Sequence, residues 1–167
     1  MSESPATDVL VQGVHALARG RDPQPILDGL LSGIAAAAGA GSGAILLADE
    51  TTGELRIVAS IGIDTETAAG LTAAVRNPAH AVARTYSSAE TGFDVLPGAP
   101  GGPALRSHVP LIVEHDGGEQ VVGVLALAHD QPIEAALRPI VVGVGDLAAL
   151  AVDRALSDRT DSGRSNR

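Results

Sequence analysis

The sequence predicts one α+β domain in which helices cover both faces of an antiparallel sheet. A chain of 167 residues matches a single ordinary domain. Its segments follow the order helices, hairpin, short helices, hairpin and long helix, without the strand–helix alternation that builds a parallel sheet. The run 44–48 is apolar throughout, whereas a sheet with one solvated face would alternate apolar and polar residues. Both faces of the sheet are therefore expected to be buried.

Two helices are predicted at the start of the chain. Residues 7–19 place apolar side chains at helical spacing behind a cap at Thr7 or Asp8. Pro23 stands where a helix can begin, and the apolar spacing after it continues to the glycine-rich segment 39–43. We therefore expect a pair of amphipathic helices before the first strand.

Two hairpins supply the predicted strands. In the first, residues 43–48 and 55–61 flank a polar segment of Asp, Glu, Thr and Gly that is typical of turns. In the second, residues 105–114 and 120–129 flank a turn with two glycines, which adopt the positive φ angles of tight hairpins without steric cost. We expect the strands of each pair to lie side by side and antiparallel.

Short helices and a loop are predicted between the hairpins. Residues 65–75 form one helix despite an internal glycine, and residues 78–86 form another with Pro78 in its first turn. Residues 97–103 contain three prolines and three glycines. That composition excludes a regular element and predicts a surface loop or lid.

A long helix is predicted after the second hairpin. Apolar residues keep a helical period through 133–156, although Pro139 removes one backbone hydrogen bond near the start. Residues 158–167 are polar and are expected to be disordered. The predicted organisation is an N-terminal helical segment over 1–22, which could lie at a dimer interface, then the main domain over 23–157 and the polar tail.

The composition excludes several classes of function. Phe93 and Tyr86 are the only aromatic residues, so base-stacking platforms and the ring-lined pockets of flavins or tetrapyrroles are not expected. The formal net charge is −9 and every basic residue is an arginine, which disfavours nucleic acid and anionic membranes as partners. The chain has no cysteine, and therefore no disulfide, thiolate metal site or thiol catalysis.

Neither a membrane span nor a bound cofactor is expected. No stretch approaches the roughly 20 apolar residues of a spanning helix, and the first residues lack the basic and apolar regions of a signal peptide. The five histidines lie on separate predicted elements, so neither a metal site nor a haem is predicted. These observations predict a cytoplasmic protein without a cofactor.

No catalytic residue is predicted. Ser42 between two glycines resembles the nucleophile elbow of hydrolases, and the surrounding glycines resemble a phosphate-binding loop. Both motifs connect a strand to a following helix, whereas this segment connects a helix to a strand. We interpret it as a helix stop and a turn.

Four segments, in this order along the chain, resemble a GAF domain, the small-molecule-sensing module of signalling proteins. The resemblance covers roughly residues 23–156. Its segments are Ile26–Leu31 with the alanine-rich helix, residues 43–49 with 52–62, Val109–Leu111, and Val122–Leu127.

The resemblance implies a sheet of about five or six strands, with the terminal helices packed on one face and a pocket on the other, roofed by short helices and loops. It also implies frequent dimerisation through the terminal helices. Members that bind cyclic nucleotides carry an Asn-Lys-Phe-Asp-Glu signature, of which only Phe93-Asp94 is present, and members that reduce methionine sulfoxide need cysteines. Since no output domain follows the long helix in this sequence, we expect any signal to reach a separate output protein.

Four basic residues are the candidate ligand-binding site. Arg106 and His108 are two positions apart on a strand and therefore project from one sheet face. His80 and Arg84 are one turn apart on a predicted helix that the resemblance places over the pocket. If these faces line the pocket, the four side chains could bind a small anionic ligand. The alternative is that both pairs touch only solvent, at the entry of the strand and on the wet face of the helix.

Two functions remain open at this point. The first is a non-catalytic sensory or regulatory module, a homodimer, that binds an unidentified small molecule and signals through its terminal helices to a partner. The second is a structural dimerisation or protein-interaction module whose pocket is closed and holds no ligand. Small side chains do not decide between them, because they could leave a cavity or let the elements approach more closely.

Overall fold

The computed structural model describes residues 4–96 and 104–165. The helices and strands of these residues follow the predicted order. The loop or lid predicted at 97–103 lies outside the described residues. The elements are α1 (Pro5–Arg19), α2 (Pro23–Ala38), β1 (Ala40–Ala48), β2 (Leu55–Ile61), α3 (Thr65–Ala74), α4 (Ala81–Ser88), β3 (Gly92–Val95), β4 (Leu105–His115), β5 (Gly118–His129) and α5 (Arg138–Arg164).

The strands of the described residues form one five-stranded antiparallel sheet in the order β2-β1-β5-β4-β3. Both predicted hairpins are confirmed, since β1 pairs with β2 and β4 pairs with β5. Pairing of β1 with β5 joins the two hairpins. The short edge strand β3, which pairs with β4, is an element that the sequence pattern does not predict. The predicted α+β class and antiparallel sheet are confirmed.

Helices cover both faces of the sheet, as predicted. The terminal helices α1, α2 and α5 lie on one face, over a large aliphatic core that includes Ile45 and Leu125. Helices α3 and α4 lie over the other face, where a smaller core includes Leu46, Val82 and the partly buried Tyr86. Neighbouring residues of β1 therefore enter different cores, because successive side chains of a strand point to opposite faces.

Glycines let the terminal helices approach closely. A Cβ at Gly33 of α2 would lie 2.8 Å from a methyl carbon of Val9 on α1. One at Gly13 of α1 would lie 2.7 Å from Leu30 and 2.9 Å from Leu147 of α5. A side chain at either glycine would force these neighbouring side chains, or the helices themselves, to shift. The N-terminal helix thus packs on its own chain, and its presence at a dimer interface stays a prediction.

Two helices begin at positions that differ from the prediction. α1 starts at Pro5 after Ser4, because proline fits the first turn of a helix, and not behind a cap at Thr7 or Asp8. α4 starts at Ala81, three residues after the predicted Pro78. The segment before α4 is held as a turn, in which an asparagine side chain accepts a backbone hydrogen bond two residues on.

The long helix α5 differs from the prediction at both ends. It begins at Arg138, so Pro139 lies in the first turn, where its missing N–H breaks no intrahelical bond. The tail predicted to be disordered from residue 158 instead continues the helix to Arg164. Extending an existing helix needs no new nucleation, and three hydroxyl side chains here donate to carbonyl oxygens one turn earlier. No helix within 4–96 and 104–165 combines the length and apolarity needed to cross a membrane.

Candidate functional site

A cavity of about 720 Å³ lies between the sheet and the roof formed by α3 and α4. Its floor comes from β1, β4 and β5, and Val95 and Leu96 at the end of β3 border it. The terminal helices cover the opposite face of the same sheet. The cavity therefore occupies the side of the sheet on which the sequence resemblance implies a pocket.

The strand register arranges the floor of the cavity in two rows. Each row crosses β4, β5 and β1, and alternate residues on a strand share one face. The rows are Arg106, Ala128, Ser42 and His108, Ala126, Ala44. The basic side chains of these rows both come from β4, whereas β5 and β1 contribute only alanine and serine to the two rows. The floor is therefore cationic at one side and neutral at the other.

All four basic residues singled out in the sequence line this cavity. Arg106 is half-buried, and His108 is buried with 5% of its surface exposed. His80 is half-buried at the start of α4, and Arg84 is exposed at the edge of the cavity. The structure thus brings the two predicted pairs together. One detail of the prediction is wrong, because His80 precedes the helix and does not lie within it.

The imidazole of His80 caps α4. Its Nδ1 accepts a hydrogen bond from the backbone N–H of Val82 at 3.2 Å. An accepting Nδ1 carries no proton, so the neutral ring bears its hydrogen on Nε2. Burial lowers the pKa of His80 below its usual 6.5, and the nearby charges of Arg106 and Arg84 lower it further. His80 is therefore a neutral hydrogen-bond donor at neutral pH.

His108 is also neutral in the folded chain. Burial, followed by the charges of His80, Arg106 and Arg84, lowers the pKa of His108 to about 4. A protonated ring at this buried position would lose its hydration. It would also be repelled by the two arginines, and by His80 when that ring is protonated. At neutral pH the two arginines therefore supply the positive charge of the cavity, and the two histidines supply polar groups beside it.

No aspartate or glutamate within the described residues lines the cavity. This distribution contrasts with the whole chain, whose formal net charge is −9. An anion that enters would meet two guanidinium and two imidazole groups without an opposing carboxylate among the described lining residues. The arrangement is chemically suited to holding a small anion.

A second polar cluster lies beside the cavity and involves Asp94 of β3. Its carboxylate accepts hydrogen bonds from the backbone N–H of Ile133 at 2.9 Å and from the Arg138 guanidinium at 2.6 Å. Arg138 also lies over the ring of Phe93, with 5.2 Å between its central carbon and the ring centroid. Asp94 has a φ of 55°, in the left-handed region that is uncommon for residues with a Cβ. These contacts connect β3 to the first turn of α5. Val95, the residue after Asp94 on β3, borders the cavity.

The same cluster continues through Ser107 and His129, each 1% exposed. The His129 Nδ1 lies 2.7 Å from the carbonyl oxygen of Gln131, which can only accept, so Nδ1 carries the hydrogen. The Ser107 hydroxyl lies within hydrogen-bond distance of His129 Nε2, at 2.8 Å, and accepts a hydrogen bond from the Asp94 backbone N–H at 3.2 Å. A serine paired with a histidine resembles a nucleophile and its base, but both are sealed from solvent. We interpret the pair as structural.

The sequence reasoning missed this cluster. Its members are separated along the chain by up to 44 positions, from Asp94 to Arg138, and no short motif connects them. The sequence contains one indication of it, because Ser107 and His129 are polar residues within largely apolar strands, and a buried polar side chain needs a hydrogen-bond partner.

A second, more open depression of about 600 Å³ lies between the edge strand β2 and α3. Glu54, Arg56 and Arg76 line it, so it presents charges of both signs. α3 has no fully buried residue, so this depression is a surface groove. The cavity beneath α3 and α4 is therefore the stronger candidate site.

Metal ligands do not cluster in the part of the chain that the structure describes. No group of three His, Asp or Glu side chains there is arranged to hold a metal ion. His115 forms a surface pair with Asp153, with 3.2 Å between Nε2 and Oδ1. The histidines of the cavity belong to the cationic cluster and have no acidic partner among its described lining residues.

The model of one protein family, described as the GAF domain, matches residues 22–154. The chain belongs to the GAF domain family. GAF domains are commonly sensory or regulatory domains that bind small molecules, and their fold is generally non-catalytic. No curated protein sequence matches the chain.

Solved GAF structures share the fold of this GAF domain. The GAF domain of an Acinetobacter phosphoenolpyruvate-protein phosphotransferase has 19% identity and a TM-score of 0.71, with 93% of this chain and 97% of that chain covered. The second GAF domain of DevS from Mycobacterium smegmatis has 24% identity and a TM-score of 0.64, with 83% and 99% covered. A free methionine-R-sulfoxide reductase from Neisseria meningitidis, solved with its substrate, has 15% identity and a TM-score of 0.72, with 95% of both chains covered. The fold is thus shared by a domain of a phosphotransferase, by a domain of DevS and by a reductase.

Proposed function

We propose that this GAF domain is a non-catalytic regulatory module whose cavity binds a small anionic ligand through Arg106, His108, His80 and Arg84. The observation that carries the proposal is the convergence of these four side chains, from β4 and from the start of α4, on one cavity. Charge-assisted hydrogen bonds from guanidinium groups to an anion are among the stronger polar interactions in proteins. The absence of cysteine argues against the thiol chemistry expected of sulfoxide-reducing members.

The geometry supports an open rather than a closed pocket. About 720 Å³ is available between the sheet and its roof, within the range of small-molecule sites. Small residues on the floor, such as Ala126 and Ala44, maintain this space. The alternative of an interaction module with a filled, ligand-free pocket is therefore less well supported than ligand binding.

A route for signalling leads from the cavity to α5. Val95 of β3 and Leu96, which follows it, border the cavity, and Asp94 of β3 holds the first turn of α5 through Arg138. A ligand that shifts β3 would therefore change the environment of α5. In this proposal the terminal helices pass the change to a second copy of the chain or to a separate output protein.

Exposed apolar residues on the terminal helices favour such an interface. Val11 and Val14 of α1 are 48% and 54% exposed, and Leu150 of α5 is 52% exposed. Contiguous exposed apolar patches mark surfaces where another protein binds, and in this proposal the three side chains belong to one such patch. A homodimer in the cytoplasm, as expected from the sequence, is the setting we propose.

Thermal unfolding with a panel of anions tests ligand binding. The panel contains acetate, hexanoate, succinate, inorganic phosphate and a nucleoside monophosphate, each compared with chloride at equal ionic strength. At least one should raise the Tm of the wild-type chain in a concentration-dependent way. Arg106→Gln should abolish that increase, whereas Arg76→Gln, at the second depression, is the matched control and should preserve it.

The proposal of anion binding fails if no panel member raises the Tm of the wild-type chain. It also fails if Arg106→Gln folds normally and responds as the wild type does. His108→Gln gives an independent check, because it removes a second member of the same cluster without removing a formal charge at neutral pH.

A further inference from the structure

The cavity has two chemically different ends. Both basic residues of the floor lie on β4, and the basic residues of the roof lie at the start of α4. Moving across the sheet from β4, the floor continues with Ala126 on β5 and Ala44 on β1. Neighbouring strands are about 4.8 Å apart, so the neutral floor extends about 10 Å from the cationic end.

The roof above the neutral end is mainly aliphatic, and Thr67 of α3 is its one hydroxyl residue among the described lining residues. The β2–α3 connection and α3 contribute Ile63, Leu71 and Ala74 to the lining, and α4 contributes Val82. Neither of the chain's two aromatic residues lines the cavity. A ligand body that extends away from the basic cluster would therefore contact alkyl groups above and small side chains below, and would find no ring on which to stack.

We propose that the ligand is an amphipathic aliphatic anion, with its head between Arg106 and His108 and its alkyl body over Ala126 toward Ala44. This inference rests on the proposed anion-binding function and specifies the chemical class of the anion. A carboxylate or a phosphate monoester can supply the head, because both accept hydrogen bonds from a guanidinium. The alkyl body contributes by removing apolar surface from water, which a small hydrophilic anion cannot do.

Isothermal titration of the wild-type chain with a homologous series tests this proposal. The series is acetate, butyrate, hexanoate and octanoate, with butyl and hexyl phosphate as the second head group. Affinity should rise by about fourfold for each added methylene, and should stop rising once the alkyl chain has crossed the neutral floor. Hexanamide, which lacks the charge, should bind at least tenfold more weakly than hexanoate.

Two variants examine the neutral end, and a third is a matched control. Ala126→Leu places a larger side chain on the floor and should reduce hexanoate affinity at least tenfold, while acetate binding stays within about twofold. Ala74→Leu narrows the same space from the roof and should have the same selective effect, which matters if the floor variant folds poorly. Ala136→Leu, at an exposed position before α5, should leave the whole series unchanged.

The outcomes separate this inference from the proposed function. If short or hydrophilic anions bind in an Arg106-dependent way and affinity is independent of chain length, the anion site stands and the amphipathic ligand is refuted. The amphipathic ligand is likewise refuted if Ala126→Leu and Ala74→Leu weaken acetate and hexanoate binding equally. If no anion binds the wild-type chain, the anion site itself is refuted.

Discussion

His108 links the stability of this GAF domain to pH. In the unfolded chain its imidazole takes up a proton as the pH falls through about 6.5, whereas in the folded chain the pKa of His108 is about 4. Between these values the unfolded state binds more protons than the folded state. The contribution of His108 to stability is therefore complete above pH 6.5 and is lost progressively as the pH falls toward 4.

The size of the effect follows from the two pKa values. The full separation between 6.5 and about 4 corresponds to about 3 kcal/mol of unfolding free energy. His80 acts in the same direction, because burial also lowers its pKa. Asp146 opposes both, since burial raises its pKa and so favours the folded state as the pH falls. The contribution of His108 must therefore be measured as a difference between the wild type and a variant.

Urea unfolding of the wild type and of His108→Gln, followed by circular dichroism across this pH range, measures that difference. The buffers must lack carboxylate and phosphate, because a bound anion would favour the protonated ring. Relative to the variant, the wild type should lose about 3 kcal/mol between pH 6.5 and 4. His15→Gln, on the exposed side of α1, is the control and should follow the wild-type curve. A difference between wild type and His108→Gln that is constant across the range would refute the reasoning.

Three further predictions concern the framework around the site. Asp94→Asn removes a charged partner of the first turn of α5 and should lower the unfolding free energy by about 1–3 kcal/mol, with faster amide hydrogen exchange at that turn than in the wild type; unchanged exchange would contradict the coupling. Gly33→Ala should destabilise the chain by about 1–3 kcal/mol because its methyl group would collide with Val9, whereas Gly29→Ala, which has open space, should stabilise it by up to about 1 kcal/mol; equal effects in urea unfolding would rule out the close helix contact. Leu150→Glu should convert a homodimer into a monomer in sedimentation analysis, and an unchanged mass would exclude this face as the interface.

The fold could be predicted from local sequence because its main elements carry their own signals. Turn residues separate β1 from β2 and β4 from β5, so each hairpin is specified within about 25 residues of chain. The sequence pattern did not predict β3. This strand is only four residues long and contains Asp94 at a positive φ, so its residues do not show the alternation that indicates a strand. The length of α5 was underestimated because a polar sequence gives no burial signal, although a helix that is already formed can continue through it.

The candidate site could be predicted in part. A spacing of two placed Arg106 and His108 on one face, and the structure agrees. The helical spacing assumed for His80 and Arg84 was wrong in detail, yet both line the cavity because His80 immediately precedes the helix. The partners within the Asp94 cluster could not be assigned from the sequence, since they join β3, β4, β5 and α5 only after the sheet has formed and α5 has docked.

The position of Tyr86 gives this protein a built-in optical probe. It is the chain's one tyrosine, there is no tryptophan, and its ring packs in the small core beneath α4, the helix whose start also supplies His80 and Arg84 to the cavity. The intrinsic ultraviolet fluorescence of this protein therefore comes almost entirely from the Tyr86 ring. A ligand that moves the roof would change the intensity of a single unlabelled fluorophore, so occupancy of the cavity can be followed in the wild-type chain without engineering.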